Sequence, residues 1–296
     1  RRERPDVVHF HCTNPASALY LTLLRRAGGP LVATAHVVTP HERIPLQRAV
    51  YRRVHHAPDL VVAHSEFDRR RLVDEFAVPP GRVVVIPHGE YGFFAGDERP
   101  GRDEARGGLG LGPGDEVVLF FGYVREYKGL DVLLDAWPAV REARPRARLV
   151  VAGDPVRLHA GRLRSLEEQA KRLGAVCRLE FIPFSDVARY FAAADVLALP
   201  YRHVSQSGVL YLALSLGLPV VATRVGALPE LLRDGESALL VPPASPVDLA
   251  AALGRLLGDP ALRERLARGG RRIAEEHSWP AVAERTEVAF ARLVRG

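Results

Sequence analysis

"EVVLFFGYVREYKGLDVLLDA", residues 116–136, decides how the rest of the chain is read. Val117 to Phe121 form a β-branched and aromatic run that reads as a buried strand. The strand ends at Gly122 or just after, and a helix opens near Gly129. Strand, loop and helix in that order commit this part of the chain to a parallel sheet with helices on its faces. The loop holds Arg125 and Lys128. The chain has 41 basic residues, and Lys128 and Lys171 are its only lysines. A lysine kept in a strand-to-helix turn suits a task for a compact ammonium. It can place a point charge on a diphosphate, and Arg125 can add a forked contact. A solvated loop with chance charges is the plainer reading of the same residues.

The pattern continues on both sides. Downstream, "ARLVVAGDP", "CRLEFIPF", "DVLALPY", "LPVVATRV" and "ALLVPP" read as strands, with helices such as "RLRSLEEQAKRLG", "DVARYFAAA" and "SGVLYLALSLG" between them. Upstream, "VVHFH", "LVATAH", "LVVAHS" and "VVVIPHG" are strands, and "PASALYLTLLRRAG" and "SEFDRRRLVDEFAV" helices, the second capped by Ser65. The fold class is α/β, with two Rossmann-like domains. The first spans 1–95, and a glycine- and charge-rich connection covers 96–115. The second domain spans 116–275, and a closing helix over 276–296 can cross back to the first. The connection offers no G-x-G-x-x-G register and precedes a strand, so it is not a dinucleotide fingerprint. Ligands of open α/β sheets sit beyond the carboxyl ends of the strands. Functional residues are therefore expected in loops that follow strands, at a cleft between the two domains.

Composition narrows the function classes. With 296 residues, 47% hydrophobic and 26% charged, the chain is globular. It has no apolar run long enough to span a bilayer and no visible signal peptide. Cys12 and Cys177 are too few and too far apart for a disulfide framework or a metal site, which fits a reducing, cytoplasmic setting. The absence of methionine implies that residue 1 is not the natural start. The formal net charge of +6 suits an anionic partner, or reflects an arginine-biased surface. Nucleic acid is set aside, because no basic stretch is interleaved with aromatics. In "LQRAVYRRVHH", Leu46, Val50 and Val54 recur at four-residue spacing. That suits a core-facing helix better than an interfacial one, with peripheral membrane contact as the alternative.

Three further places can carry chemistry. In "YRHVSQSGVLYLALSLGLPVVA", Ser205 or Ser207 can cap a helix opening at Gly208, whose first amides suit phosphate. His36 ends the strand of "LVATAHVVTPHE", where an imidazole can bond a substrate hydroxyl or act as a base. His9, His11 and His41 are weaker candidates. Glu230 either accepts from a sugar hydroxyl or simply favours a helix N-terminus. No metal-ligand spacing is present, so no metal and no cofactor are expected.

Taken together, these stretches resemble the retaining, nucleotide-sugar-dependent glycosyltransferases of family 4, which have the GT-B fold. The resemblance covers nearly the whole chain. It rests on "FFGYVREYKGLDVLLDA", "AAADVLALPY", "GLPVVATRVGALPELLRDGESALLVPP", "TAHVVTPHE" and "VIPHG". It implies a hexosyltransferase moving a sugar from a nucleotide diphosphate sugar to a carbohydrate, lipid-linked or small-molecule acceptor. Lys128 would contact the diphosphate and His36 would lie on the acceptor side. Ser207, Gly208 and Val209 would form the helix start that holds phosphate. Tyr123, after Gly122, stands where the family usually has arginine, which leaves Arg125 as a displaced substitute. The family's pair of glutamates falls on Val204 and Leu212, or on Ser205 for the first with a one-residue gap. The opening "RRERPDVVHF" matches a point well inside the family's first domain. The lost glutamates leave a second reading open, a non-catalytic nucleotide-binding or scaffolding module.

Overall fold

The computed structural model describes residues 5–12, 17–25, 28–39, 47–95, 99–156 and 158–295. His41 and Leu46 lie outside them. The chain divides into two compact units, one of Arg1–Gly89 with His277–Gly296 and one of Glu90–Glu276.

The first unit contains β1 (Val8–Cys12), α1 (Ser17–Leu24), β2 (Leu31–Ala35), α2 (Gln47–His56), β3 (Leu60–Ala63), α3 (Glu66–Asp74) and β4 (Val83–Val85). The strands form one parallel sheet in chain order, β1-β2-β3-β4. All five side chains of β2 are buried, as a parallel strand covered on both faces requires. Ser65 caps α3 by accepting from the Asp68 amide at 3.1 Å. The apolar side of α2 is used inside the fold: Val54 packs with Leu21, Leu31 and Ala33, and Tyr51 with Ala35, Leu72 and Phe76. Arg52 and Arg53 are exposed.

The second unit contains α4 (Arg102–Gly108), β5 (Glu116–Phe121), α5 (Leu130–Ala143), β6 (Ala147–Ala152), α6 (Ala160–Arg172), β7 (Val176–Arg178), α7 (Phe184–Ala193), β8 (Val196–Leu199), α8 (Gly208–Leu216), β9 (Val220–Thr223), α9 (Leu228–Leu231), β10 (Leu239–Val241), α10 (Pro246–Gly258) and α11 (Pro260–Glu276). The last helix, α12 (Trp279–Arg295), groups with the first unit, where Ala289 packs with Val32, Val62 and Ile86. The six strands of the second unit are parallel, in the order β10-β9-β8-β5-β6-β7. Alternate residues of β5 serve the two faces. Val117, Leu119 and Phe121 enter one core, and Val118 and Phe120 enter the other with Trp137. Strands β5 and β8 are neighbours in the sheet but distant in sequence. This is the switch point at which open α/β sheets place their ligands.

Two expectations change in detail. The stretch 96–115, read as a connection, belongs to the second unit and carries α4. Its glycines and charges hide the reason. Arg106 is buried, donating to Asp195 at 2.7 Å, to the Ala193 carbonyl at 3.1 Å and to the Pro113 carbonyl at 2.6 Å. A buried arginine with all its neighbours satisfied can anchor a helix as an apolar residue would. The run "CRLEFIPF", read as one strand, pairs only over Val176–Arg178, and Phe181 is exposed beyond it.

Candidate functional site

The loops after β5 and β8 meet at the switch point. The Arg202 amide donates to the Tyr127 carbonyl at 2.8 Å. Gly129 has φ 69°, and a Cβ there would stand 2.0 Å from the Pro200 carbonyl oxygen. Only glycine permits that approach in that conformation. It turns the chain directly after Lys128 and brings one loop against the other.

Lys128 is 6% exposed. Its Nζ donates to Tyr201 Oη at 3.1 Å and lies 4.8 Å from the centre of the same ring. Tyr201 Oη is 3.0 Å from Ser207 Oγ, which accepts from the Leu210 amide at 3.2 Å as the N-cap of α8. A chain of hydrogen bonds thus runs from the ammonium to the helix start. The first amides of a helix lack intrahelical acceptors, and at α8 these belong to Gly208 and Val209. A Cβ at Gly122 would come within 2.9 Å of Val209 Cγ2 and 3.6 Å of Lys128 Nζ. Gly122, Lys128, Ser207, Gly208 and Val209 are therefore gathered in one place.

The electrostatics of this place suit an anion. An ammonium has three donors. Among the described residues Lys128 makes one hydrogen bond, to a neutral hydroxyl, and no ion pair with a carboxylate. Burial pushes its pKa below the ordinary lysine value, Tyr127 opposes that shift and Arg125 adds to it. Burial likewise pushes the Tyr201 phenol up, so it stays a neutral hydroxyl. Arg125 caps the turn before Lys128, its guanidinium 5.4 Å from the ring centre of exposed Tyr123 and its Nε buried without a partner among the described residues. Ser205 is buried in the loop after β8, and Glu230 is exposed on α9; both stand outside the Lys128–Tyr201–Ser207 chain. Val204 and Leu212, the positions of the family's glutamates, are buried in the core. Gln206, between them, has an Oε1 that is buried and without a partner among the described residues.

His36 does not stand alone. His11 Nδ1 lies 2.8 Å from His36 Nε2, and His36 Nδ1 lies 3.1 Å from His64 Nε2. His64 Nδ1 is 2.9 Å from the Ile86 carbonyl and must donate to it. That fixes the rest of the relay for neutral rings: His36 Nδ1–H donates to His64, and His11 Nδ1–H donates to His36. His88 Nδ1 donates to the Gly89 carbonyl at 2.8 Å. Burial, then neighbouring imidazoles, lowers the pKa of His36 to about 4. Burial lowers that of His64 to about 3, against the Ile86 hydrogen bond. The His36 and His64 rings are neutral at pH 7.

Tyr201, His64 and His88 did not stand out in the sequence, and His11 stood there only as a weaker candidate. Tyr201 had a usable signal, since it follows strand β8 in "ALPY". The histidines had none at short range, because four separate strands bring them together.

Residues 1–89 match the family described as Glycosyltransferase Family 4, and residues 115–259 match glycosyl transferases group 1. The D-inositol 3-phosphate glycosyltransferase of Segniliparus rotundus is 32% identical over 311 aligned positions, covering 99% of this chain and 67% of that protein. The chain belongs to glycosyltransferase family 4. The enzyme of the same name from Actinosynnema mirum is 33% identical, with 97% of this chain and 72% of that protein covered. That from Thermomonospora curvata is 37% identical, with 77% and 55% covered. The family 4 chain thus spans between about half and three quarters of the length of these relatives. Among solved structures, HepE of Anabaena, in complex with UDP and glucose, superposes with a TM-score of 0.84 at 21% identity, over 97% of this chain and 77% of that one. Sucrose-phosphate synthase of Thermosynechococcus elongatus gives 0.81 at 24% identity, over 97% and 73%. The fold of this glycosyltransferase family member is GT-B, with parallel sheets in two Rossmann-like domains. Among the described residues, no helix is long and apolar enough to cross a membrane.

Proposed function

We propose that the protein transfers a hexosyl group from a nucleotide diphosphate sugar to an acceptor hydroxyl with retained configuration. The observation that carries this reading is the Lys128 ammonium, buried at the switch point with no carboxylate partner among the described residues. A buried charge in that state is costly unless an anion completes it. A pyrophosphate supplies that anion, held by Lys128, by Arg125 and by the first amides of α8. As the glycosidic bond breaks, charge grows on the departing phosphate, and these fixed donors stabilise it without reorganising. The same oxygen takes the acceptor proton as the new bond forms on the face the leaving group vacates. Charge neutralisation by these groups makes a metal at the diphosphate unnecessary. His36 is the acceptor-side histidine, and Gln206 supplies a ribose partner where Val204 and Leu212 cannot. HepE was solved with UDP and with UDP-glucose, which makes a UDP-hexose the first donor to test. The relatives' inositol phosphate acceptor marks a polyol as the first acceptor to test.

The apolar residues at 204 and 212 favour a second reading, a nucleotide-binding module without transfer. Calorimetry with UDP-, GDP- and ADP-sugars, beside a transfer assay, separates the two. Lys128→Ala should remove donor binding and transfer, while Lys171→Ala, exposed on α6, should keep both. Binding without transfer to any acceptor favours the module, and equal small effects of the two variants remove the donor-site assignment.

A further inference from the structure

His36, His64 and His88 each offer a ring nitrogen, and these atoms all lie within 4.8 Å of one another. The sheet explains the convergence. Strands β2 and β3 pair Val32 with Leu60 and Thr34 with Val62, which carries His36 opposite His64 one residue beyond the strand ends. His88 follows β4, the next strand over. Neighbouring parallel strands are about 4.8 Å apart, so side chains at matching positions on one face meet at ligand spacing.

We propose that His36 Nδ1, His64 Nε2 and His88 Nε2 form a binding site for a divalent transition-metal ion of the zinc class, with a fourth position open to an oxygen ligand. Tetrahedral coordination with metal–nitrogen bonds of about 2.0–2.1 Å places ligand nitrogens roughly 3.3 Å apart. His36 Nδ1 and His64 Nε2 stand 3.1 Å apart. Three imidazoles and no carboxylate suit zinc, nickel or copper and do not suit magnesium or calcium.

The surroundings match those of metal-bound histidines, whose other ring nitrogen donates to a carbonyl or a second acceptor. His64 Nδ1 does so to Ile86 and His88 Nδ1 to Gly89. For His36 the partner is His11 Nδ1 at 2.8 Å. A swap of tautomer in both rings, with no ring rotation, moves the His11 proton to Nε2, lets His36 Nε2–H donate to His11 Nδ1 and frees His36 Nδ1 for the ion. Gly89 adds a constraint of its own. The Trp279 ring lies where a Cβ at Gly89 would be, 2.6 Å away, and stands edge-on to His88 with centres 6.0 Å apart. The His88 ring is thereby packed in place. In the metal-free relay both His36 nitrogens are engaged, by His11 and by His64, so on the transfer reading ion and acceptor hydroxyl compete to replace the His64 contact at Nδ1. The binding measurement does not depend on that reading.

The test uses the full chain, stripped with a chelator, titrated with zinc chloride by calorimetry and with cobalt(II) by visible absorption. One equivalent should bind per chain, and cobalt should give the intense bands of a tetrahedral nitrogen site. His64→Gln and His88→Gln should each weaken binding by about 100-fold, and His11→Gln, which leaves all three ligands, by about 10-fold. His159→Gln in the second unit should leave binding unchanged. Circular dichroism checks each fold. If His64→Gln does not fold, the ordering of His88→Gln, His11→Gln and His159→Gln decides alone. Absence of a stoichiometric site in excess zinc, an octahedral cobalt spectrum, or wild-type affinity in both His88→Gln and His11→Gln would overturn the proposal.

Discussion

Beyond β2, β3 and β4 the first unit presents neutral imidazoles; beyond β5 and β8 the second presents a buried ammonium. Both are parallel sheets with polar side chains in the loops after the strands, yet nine of the eleven histidines belong to the first unit and both lysines to the second. The architecture fixes where a ligand can sit, and the residue type decides which ligand. Lone pairs on neutral rings accept a hydroxyl proton or a metal. A desolvated cation with unused donors accepts an anion. Neither content follows from the fold.

The largest effects should break or sharpen this contrast at Lys128. Lys128→Met keeps the side-chain volume and removes the charge. Donor affinity should fall about 100-fold. The free protein should gain about 1 kcal/mol, because a buried charge has gone. Calorimetry and denaturant melts read the two sides, and a variant that loses both stability and affinity would make Lys128 a structural residue. Gly129→Ala forces an alanine into a left-handed conformation against Pro200. It should cost about 3 kcal/mol of stability, visible as a lowered unfolding midpoint.

Acid should separate the units. His55 is buried with Nε2 2.9 Å from the Val38 carbonyl, and burial lowers its pKa to about 4, against that hydrogen bond. Its neutral form is favoured in the fold, so its contribution is complete above the unfolded value near 6.5 and is lost as pH falls toward 4. About 2–3 kcal/mol should disappear across that window. The two tryptophans report the units separately, Trp137 in α5 and Trp279 in α12. In a Trp137→Phe background, Trp279 fluorescence should show the first unit unfolding before the helical signal of the second is lost. His55→Gln, which keeps a donor for Val38, should move that transition to lower pH. Tyr201→Phe, which removes the hydroxyl between Lys128 and Ser207, is the smallest case. It should cost about 1 kcal/mol in donor binding.

Much of this was legible in the residues. Apolar runs marked the ten strands of the described residues, Ser65 caps the helix it was expected to cap, and of the two candidates Ser205 and Ser207 it is Ser207 that caps α8. Lys128 stood out through its rarity and its place after a strand. What could not be read depended on distant partners. Arg106 looks like a linker charge until Asp195, far along the chain, pairs with it. The end of β7 depends on how far β6 accompanies it. The histidine group spans four strands, and only the register that sets His36 opposite His64 reveals it. Tyr201 was visible at a strand end, but its role needs both loops in place.

With two lysines in the chain, protein labelled with nitrogen-15 at lysine Nζ gives one signal for the buried ammonium and one for Lys171, and Lys128→Met assigns them. Titration with UDP should shift the Lys128 signal and leave Lys171 in place. A Lys128 signal that stays still while UDP binds, or one that moves no more than that of Lys171, would contradict the account.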